Sequence, residues 1–188
     1  MIMKRLIRFT CGAALLGAMI TAGFSAGTPE AGYVDFGKFS PPSAGGEFVE
    51  VHINSNLISM ASRLAERHEP EIADLLHGLQ LIRVNVIGLN KENRVDVEKR
   101  VKTIRSELDA QGWERVVTAQ KNGEDVGVYV KTRGEEAVQG LVVMVLGDKK
   151  EAVLVNIVGD IKPEKLAVIG ERFNIEPLKK AGRAVQKK

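Results

Sequence analysis

Histidine and carboxylate side chains are the residues of this chain that could do acid–base or metal chemistry. The three histidines are His52, His68 and His77. His52 follows Glu50 by two residues on the polar side of a predicted strand, where such a pair could bind a metal ion or act as a base with its orienting group. No nucleophile or third ligand lies at a recognisable spacing, so an exposed strand histidine is the simpler interpretation. His68 and His77 end successive helical segments, where the helix dipole favours a positive histidine.

A second polar pair extends this candidate site. Arg83 and Asn85 alternate with apolar residues in "LIRVNVIGL", which predicts another strand with both side chains on its polar side. Together the two pairs define a candidate polar face for an envelope enzyme, consisting of Glu50, His52, Arg83 and Asn85. The chain contains no Gly-rich phosphate loop followed by lysine and no Gly-x-Ser-x-Gly elbow. We therefore assign no catalytic residue and expect neither a metal ion nor a cofactor.

The first 26 residues follow the plan of a secretory signal peptide. A basic start with Lys4, Arg5 and Arg8 precedes the small, apolar run "CGAALLGAMITA", and small and then polar residues follow. The apolar run is shorter than the roughly 20 residues that a membrane span needs, although an uncleaved anchor is the alternative. We expect residues 1–26 to be removed and the protein to be periplasmic or secreted.

Cys11 is the only cysteine and lies at the beginning of this apolar run. A lipoprotein signal would place its cysteine at the end of the run, so we do not expect lipidation. The mature chain would then hold no thiol, which excludes a disulfide, a thiolate metal site and a cysteine nucleophile from it. A chain without thiols suits an oxidising envelope compartment.

The net charge of +3 comes from the leader. Without Lys4, Arg5 and Arg8, the 27 basic residues become 24, against 24 acidic ones. The tail at 179–188, "KKAGRAVQKK", holds five more basic residues, so the folded body is mildly acidic. This balance argues against nucleic-acid binding. We expect a solvated tail with weak or no membrane contact.

Residues 32–178 have the length of a single domain. Alternating patterns predict strands in "GYVDFGKF" and "EFVEVHI", and a helix follows whose apolar stripe comprises Leu57, Ile58, Ala61, Leu64 and Ala65. Pro70 begins a second helix, and a strand, a longer helix capped by Asn93, four strands and a final helix complete the order. Asn122-Gly123 predicts a tight hairpin. Its register would place Ala119 opposite Val126, Val117 opposite Val128 and Arg115 opposite Val130. The pattern indicates an α+β fold, with a largely antiparallel sheet that ends in a four-strand meander and helices packed mainly on one face.

Residues 141–158 are apolar on both sides of the predicted strands, whereas a strand covered on one side alternates apolar and polar residues. We assign Val142, Met144, Val153, Val155 and Ile157 to the core. The other side is a candidate interaction patch that comprises Leu141, Val143, Val145, Leu154 and Val158. The first strand, the 161–170 helix or the segment 173–178 could cover this patch. Otherwise it would bind a second copy or an envelope protein partner.

Several segments resemble the bacterial domain of unknown function 4252 in their order along the chain. They are "GYVDFG", "GGEFVEVHI", "GLQLIRVNVIGL", "LDAQGWERVV", "VGVYVKTRGEEAVQGLVVMV" and "EAVLVNIVGDIKPEKLAVIG". The resemblance covers nearly all of the mature chain and implies an exported envelope protein of a Gram-negative bacterium. Many members carry a lipoprotein cysteine, from which Cys11 departs by its position. The family implies no activity, so no catalytic residue is carried over.

Two hypotheses of different classes follow. The leading one is a small exported α+β protein that acts by binding, without catalysis. The competing one is an envelope enzyme, which requires the polar side chains around Glu50 and His52 to meet in a concavity.

Overall fold

The computed structural model describes residues 31–43, 45–121, 123–134, 137–147, 151–162 and 165–172. The predicted leader, the final segment 173–178 and the basic tail lie outside these ranges. The elements in chain order are β1 (Phe48–Asn54), α1 (Ser55–Ala65), α2 (Pro70–His77), β2 (Leu79–Gly88), α3 (Arg94–Ala110), β3 (Glu114–Lys121), β4 (Glu124–Arg133), β5 (Ala137–Leu146), β6 (Glu151–Ile161) and α4 (Lys165–Arg172).

The strands form one six-stranded sheet in the order β1-β2-β6-β5-β4-β3, and every neighbouring pair is antiparallel. The predicted α+β fold is therefore confirmed, with β3 to β6 as the meander. Strands β2 and β1 follow β6 on the other side, so β1 and β3 are the edges of the sheet. No helix in the described part of the chain has the length and apolar character needed to cross a membrane.

Three helices, α1, α2 and α4, cover one side of the sheet, which we call the helical face. Ile58 of α1, Leu75 of α2 and Ile169 of α4 pack there on strand residues. The buried strand residues of this cluster are Leu79, Ile82, Val128, Val130, Val138, Leu141, Val143, Val155, Ile157 and Ile161.

Helix α3 and residues 32–39, which we call the strap, cover the other side, the strap face. The α3 stripe of Val97, Val101, Ile104 and Leu108 is buried, as its spacing predicts. Val34 and Phe36 of the strap join the same cluster. The strap was predicted to be an edge strand, but its described residues form no strand ladder. The strap lies on the sheet, with Val34 and Phe36 packed against it. Its backbone forms hydrogen bonds with side chains and not with a neighbouring strand.

The five residues of the candidate interaction patch do not form an exposed surface. Strands β5 and β6 pair Val143 with Val155, so Leu141, Val143 and Val145 lie on the helical face, and Leu154 packs on the strap face. Val158 lies on the side of Leu154 by strand alternation. Leu141, Val143, Leu154 and Val158 are buried and Val145 is half-buried. The prediction assigned the faces of the two strands with the wrong relative register: it placed Val155 on the side of Val142, whereas Val155 pairs with Val143.

The hairpin of β3 and β4 has the predicted register near its turn and a different one farther away. Ala119 pairs with Val126 and Val117 with Val128, as predicted. A bulge between Arg115 and Val117 then places Arg115 opposite Tyr129, where the unbroken register required Val130. Gly123 has the positive φ (80°) that the predicted turn requires, and Asn122 lies outside the described residues.

Removal of a leucine from either face tests whether both faces are core. Leu141→Ala and Leu154→Ala each delete a fully buried side chain, on opposite sides of the sheet. Each should lower the free energy of unfolding by roughly 2–5 kcal/mol, measured by urea denaturation. Val95→Ala, at a side chain that is 69% exposed, is the control and should change it by less than about 0.5 kcal/mol. A leucine variant as stable as this control would contradict the two-faced core.

Candidate functional site

The four residues of the candidate polar face lie together on the sheet. Strands β1 and β2 pair Glu50 with Asn85 and His52 with Arg83, which puts all four side chains on the strap face. Their surroundings differ, however. Arg83 and Asn85 are buried, whereas Glu50 and His52 on the edge strand are exposed. Neither Glu50 nor His52 has a hydrogen-bond or ion-pair partner among the described residues.

Arg83 binds the strap. Its Nη1 donates hydrogen bonds to the Tyr33 hydroxyl (2.9 Å) and to the Val34 carbonyl (3.2 Å). Its guanidinium carbon lies 5.4 Å from the centre of the Tyr33 ring and 5.6 Å from that of Phe36, within cation–π range. The donors that could bind a substrate carboxylate are thus turned towards the strap.

Asn156, which sequence reasoning did not single out, lies beside Arg83 in the ladder and holds the same segment. Its Oδ1 accepts the Val34 N–H (3.0 Å), and its Nδ2 donates to the carbonyls of Gly32 (2.9 Å) and Leu141 (3.3 Å). A lone amide in the apolar run "VLVNIV" was the available signal, since a buried amide must find partners. Arg83 and Asn156 therefore fasten the strap to the sheet.

Two further contacts complete the attachment of the strap. Arg100 of α3 donates from Nε to the Phe36 carbonyl (2.9 Å) and from Nη2 to the Asp35 carbonyl (3.0 Å). At the start of the strap, Gly32 lies so close to β5 that a Cβ there would collide with the Gln139 carbonyl. The absence of a side chain at Gly32 is what lets the strap approach the sheet.

An ion pair fastens α3 to β4. Arg105 Nη1 lies 2.6 Å from Asp125 Oδ2 in a half-buried setting. The Nε and Nη2 of Arg105 and the Oδ1 of Asp125 have no hydrogen-bond partner in the part of the chain that the structure describes. Burial raises the pKa of the nearby Tyr129 hydroxyl, an effect that the Arg115 and Arg105 cations oppose. Tyr129 is thus a protonated core residue at neutral pH.

A cleft of about 570 Å³ separates residues 38–43 from the start of α3. Ser43 Oγ donates to Glu92 at 2.6 Å across it. Lys38 and Arg100 supply cations, and Glu92 and Asp96 supply carboxylates, but no histidine lines the cleft. Its charges are mixed, and the Ser43–Glu92 pair is exposed, with no histidine among the described lining residues to orient it.

A second cleft, of about 290 Å³, lies among α2, β6 and α4. Lys165 Nζ contacts Asp74 at 2.7 Å, and this hydrogen bond with its positive charge lowers the pKa of the Asp74 carboxyl. Arg133 contacts both oxygens of Asp160 at 2.9 Å. Asp160 belongs to β6. Both acids of this cleft are neutralised by cations.

The third cleft, of about 410 Å³, lies beside Tyr33 and Trp113. None of the three clefts is lined by Glu50, His52, Arg83 or Asn85. Within the described residues, no group of three or more His, Asp or Glu side chains is placed to hold a metal ion. The candidate polar face is therefore divided between a buried attachment and an open edge.

An apolar surface does occur at that edge. Leu57, Met60 and Leu64 of α1 are 50%, 54% and 76% exposed. On the neighbouring strand β1, Val49 is also exposed. We call these four side chains and the free side of β1 the edge surface. Of the predicted apolar stripe of α1, only Ile58 is buried, whereas Leu57, Ala61 and Leu64 are exposed.

The exposed stripe of α1 points past the edge of the sheet. At 3.6 residues per turn, Leu57, Met60 and Leu64 span an arc of about 60°, on the side of the helix opposite Ser62. Ser62 Oγ donates to the Ala73 carbonyl (3.1 Å), so α2 lies on that other side. Helix α2 in turn lies towards β6, where Asp160 N donates to the Gly78 carbonyl (2.7 Å). The stripe therefore faces away from the centre of the sheet and towards its β1 edge.

The attachment of the strap can be tested at Asn156. Asn156→Ala leaves the Val34 N–H and the Gly32 carbonyl without partners, which should cost about 1–3 kcal/mol of unfolding free energy. It should also speed hydrogen exchange of the Val34 amide, measured by NMR. Gln120→Ala, at an exposed residue of β3, serves as the control and should change neither quantity. Unchanged exchange at Val34 would show that the amide does not hold the strap.

Comparison with known proteins adds one relationship. No curated protein and no solved structure matched this chain. The family described as Domain of unknown function (DUF4252) matches residues 44–169, which include the whole sheet and α1, α2 and α3. The resemblance noted in the sequence is thereby confirmed, and the chain belongs to the DUF4252 family.

Proposed function

We propose that this protein is exported to the bacterial envelope and acts there by binding another polypeptide chain through the edge surface, without catalysis of its own. The observation that carries the proposal is the row of three large apolar side chains on α1 that are at least half exposed. The buried core elsewhere is covered on both sides of the sheet, so this row is not needed to complete it.

Export is supported by residues 1–26. The basic start, the short apolar run and the small residues after it match a signal peptide in kind and in order. The composition of the remaining chain, with balanced charge and no cysteine, suits an oxidising compartment.

Binding is supported by the chemistry of the edge surface. Exposed apolar side chains that lie next to one another mark interaction sites more often than isolated ones do. Beside the stripe, one side of β1 carries backbone N–H and C=O groups that can pair with an added strand. The surface therefore offers both an apolar contact and main-chain hydrogen bonds, which is the pattern of strand addition.

Export can be tested by fractionating cells that express the full chain and measuring the mass of the intact protein. The protein should be found in the periplasmic or secreted fraction with about the first 26 residues removed. Leu15→Asp, which places a charge in the apolar run, should retain the leader and keep the protein in the cytoplasm. A native chain that keeps residues 1–26 in the cytoplasmic fraction would refute export.

Binding can be tested in the same cells with the photo-crosslinker p-benzoylphenylalanine at position 60 in place of Met60. Irradiation should give adducts at this position, and the second substitution Leu64→Glu should reduce them several-fold because it charges the apolar stripe. The control position is Lys102, exposed on α3 at the opposite face of the sheet. Equal labelling at positions 60 and 102 would contradict the proposed function.

A further inference from the structure

The two edges of the sheet differ in how they are protected. The β3 edge carries a bulge between Arg115 and Val117, and charged residues lie near its start, both of which hinder pairing with another strand. Strand β1 pairs with β2 over all seven of its residues without a bulge, and it contains no proline. The β1 edge is therefore competent to extend the sheet.

The hydrogen bond from Gly88 N to the Glu47 carbonyl (2.6 Å) shows which groups of β1 are available. In an antiparallel pair, a residue directs both its N–H and its C=O to the same neighbour, and the next residue directs them to the opposite side. Because Glu47 faces β2, so do Val49, Val51 and Ile53. The outward groups therefore belong to Phe48, Glu50, His52 and Asn54.

The outward backbone groups and side chains of β1 indicate which partner would bind this edge. We propose that the edge surface binds a second copy of this chain, with β1 of one protomer antiparallel to β1 of its partner and the two-fold axis at Val51. This inference rests on the proposed function, because it names the partner of the same surface.

The register follows from charge and length. With the axis at Val51, Glu50 of each protomer lies directly opposite the partner's His52, and the carboxylate can accept the imidazole N–H twice per dimer. All seven residues of β1 are then paired. A shift by one pair in either direction places Glu50 opposite Glu50 or His52 opposite His52 and shortens the overlap. The exposed, unpartnered state of both side chains in one protomer agrees with this pairing.

The apolar part of the surface agrees with the same axis. A two-fold axis perpendicular to the sheet keeps both copies of α1 on the helical face and brings them to the same edge. Leu57, Met60 and Leu64 point past that edge in each protomer, so the two stripes face one another. Val49, on the helical face of β1, lies opposite the partner's Ile53 in this register. The surface is thus self-complementary in charge, in hydrogen-bonding groups and in apolar contact.

The experiment uses the exported full chain, purified and followed by light scattering during size exclusion over a dilution series. The wild type should have the mass of two chains at high concentration. His52→Glu, which sets like charges opposite one another twice, should raise the dissociation constant at least about tenfold. The double variant His52→Glu/Glu50→Lys should restore dimerisation, and His52→Lys should tighten it. Circular dichroism of each variant checks that the fold is unchanged.

Two results would overturn the inference. A wild type that stays monomeric at every concentration refutes self-association. If the crosslinker at position 60 still forms adducts with another polypeptide in cells, the proposed function survives that result. If no such adducts form, the proposed function fails as well. A dimer whose dissociation constant is the same for the wild type, His52→Glu and His52→Lys refutes the β1 register.

Discussion

Strands β5 and β6 carry apolar side chains on both sides, and water must be kept from both. Leu141 and Ile157 face the helical side, and Val142 and Leu154 face the strap side. A sheet with two apolar faces cannot leave one of them open, as an antiparallel sheet with alternating residues can. The rest of the fold follows from this requirement, since α1, α2 and α4 cover one face and α3 with the strap covers the other.

The strap explains why polar residues interrupt the apolar face. An extended segment on top of a sheet has backbone groups that no strand satisfies, and burying them without partners is costly. Arg83, Asn156 and Arg100 supply those partners from the sheet and from α3. Of the four residues of the candidate polar face, Arg83 therefore serves the architecture, whereas Glu50 and His52 stay exposed. Among the described residues, they lie on the β1 edge, next to the exposed side of α1.

The β1 edge and the exposed side of α1 combine two features, each of which alone would bind a partner with little specificity. Unpaired main-chain groups give affinity with little specificity, and an apolar stripe alone binds without defining a register. Glu50 and His52 alternate with Val49, Val51 and Ile53 along β1. A partner strand must match this sequence of charged and apolar side chains, which defines its register. Membership of the DUF4252 family assigns no activity to this arrangement, so the surface itself is the physical basis for the proposed role.

Local pattern in the sequence was enough to predict the four helices, the six strands of the sheet and their antiparallel class, and the buried stripe of α3, because each depends on periodicity. It also predicted the tight turn at Gly123, which depends on one backbone conformation. It failed at the strap, whose alternation predicted a strand that the structure does not form. It could not determine which face each central strand showed to which helix, since a one-residue difference in register moves every side chain to the other side. It also could not predict that Leu57 and Leu64 are exposed, because an apolar stripe has the same spacing whether the core or a partner covers it. The tertiary structure decided both: the pairing of Val143 with Val155 fixed the faces, and the position of α2 against Ser62 turned the apolar stripe of α1 away from the core.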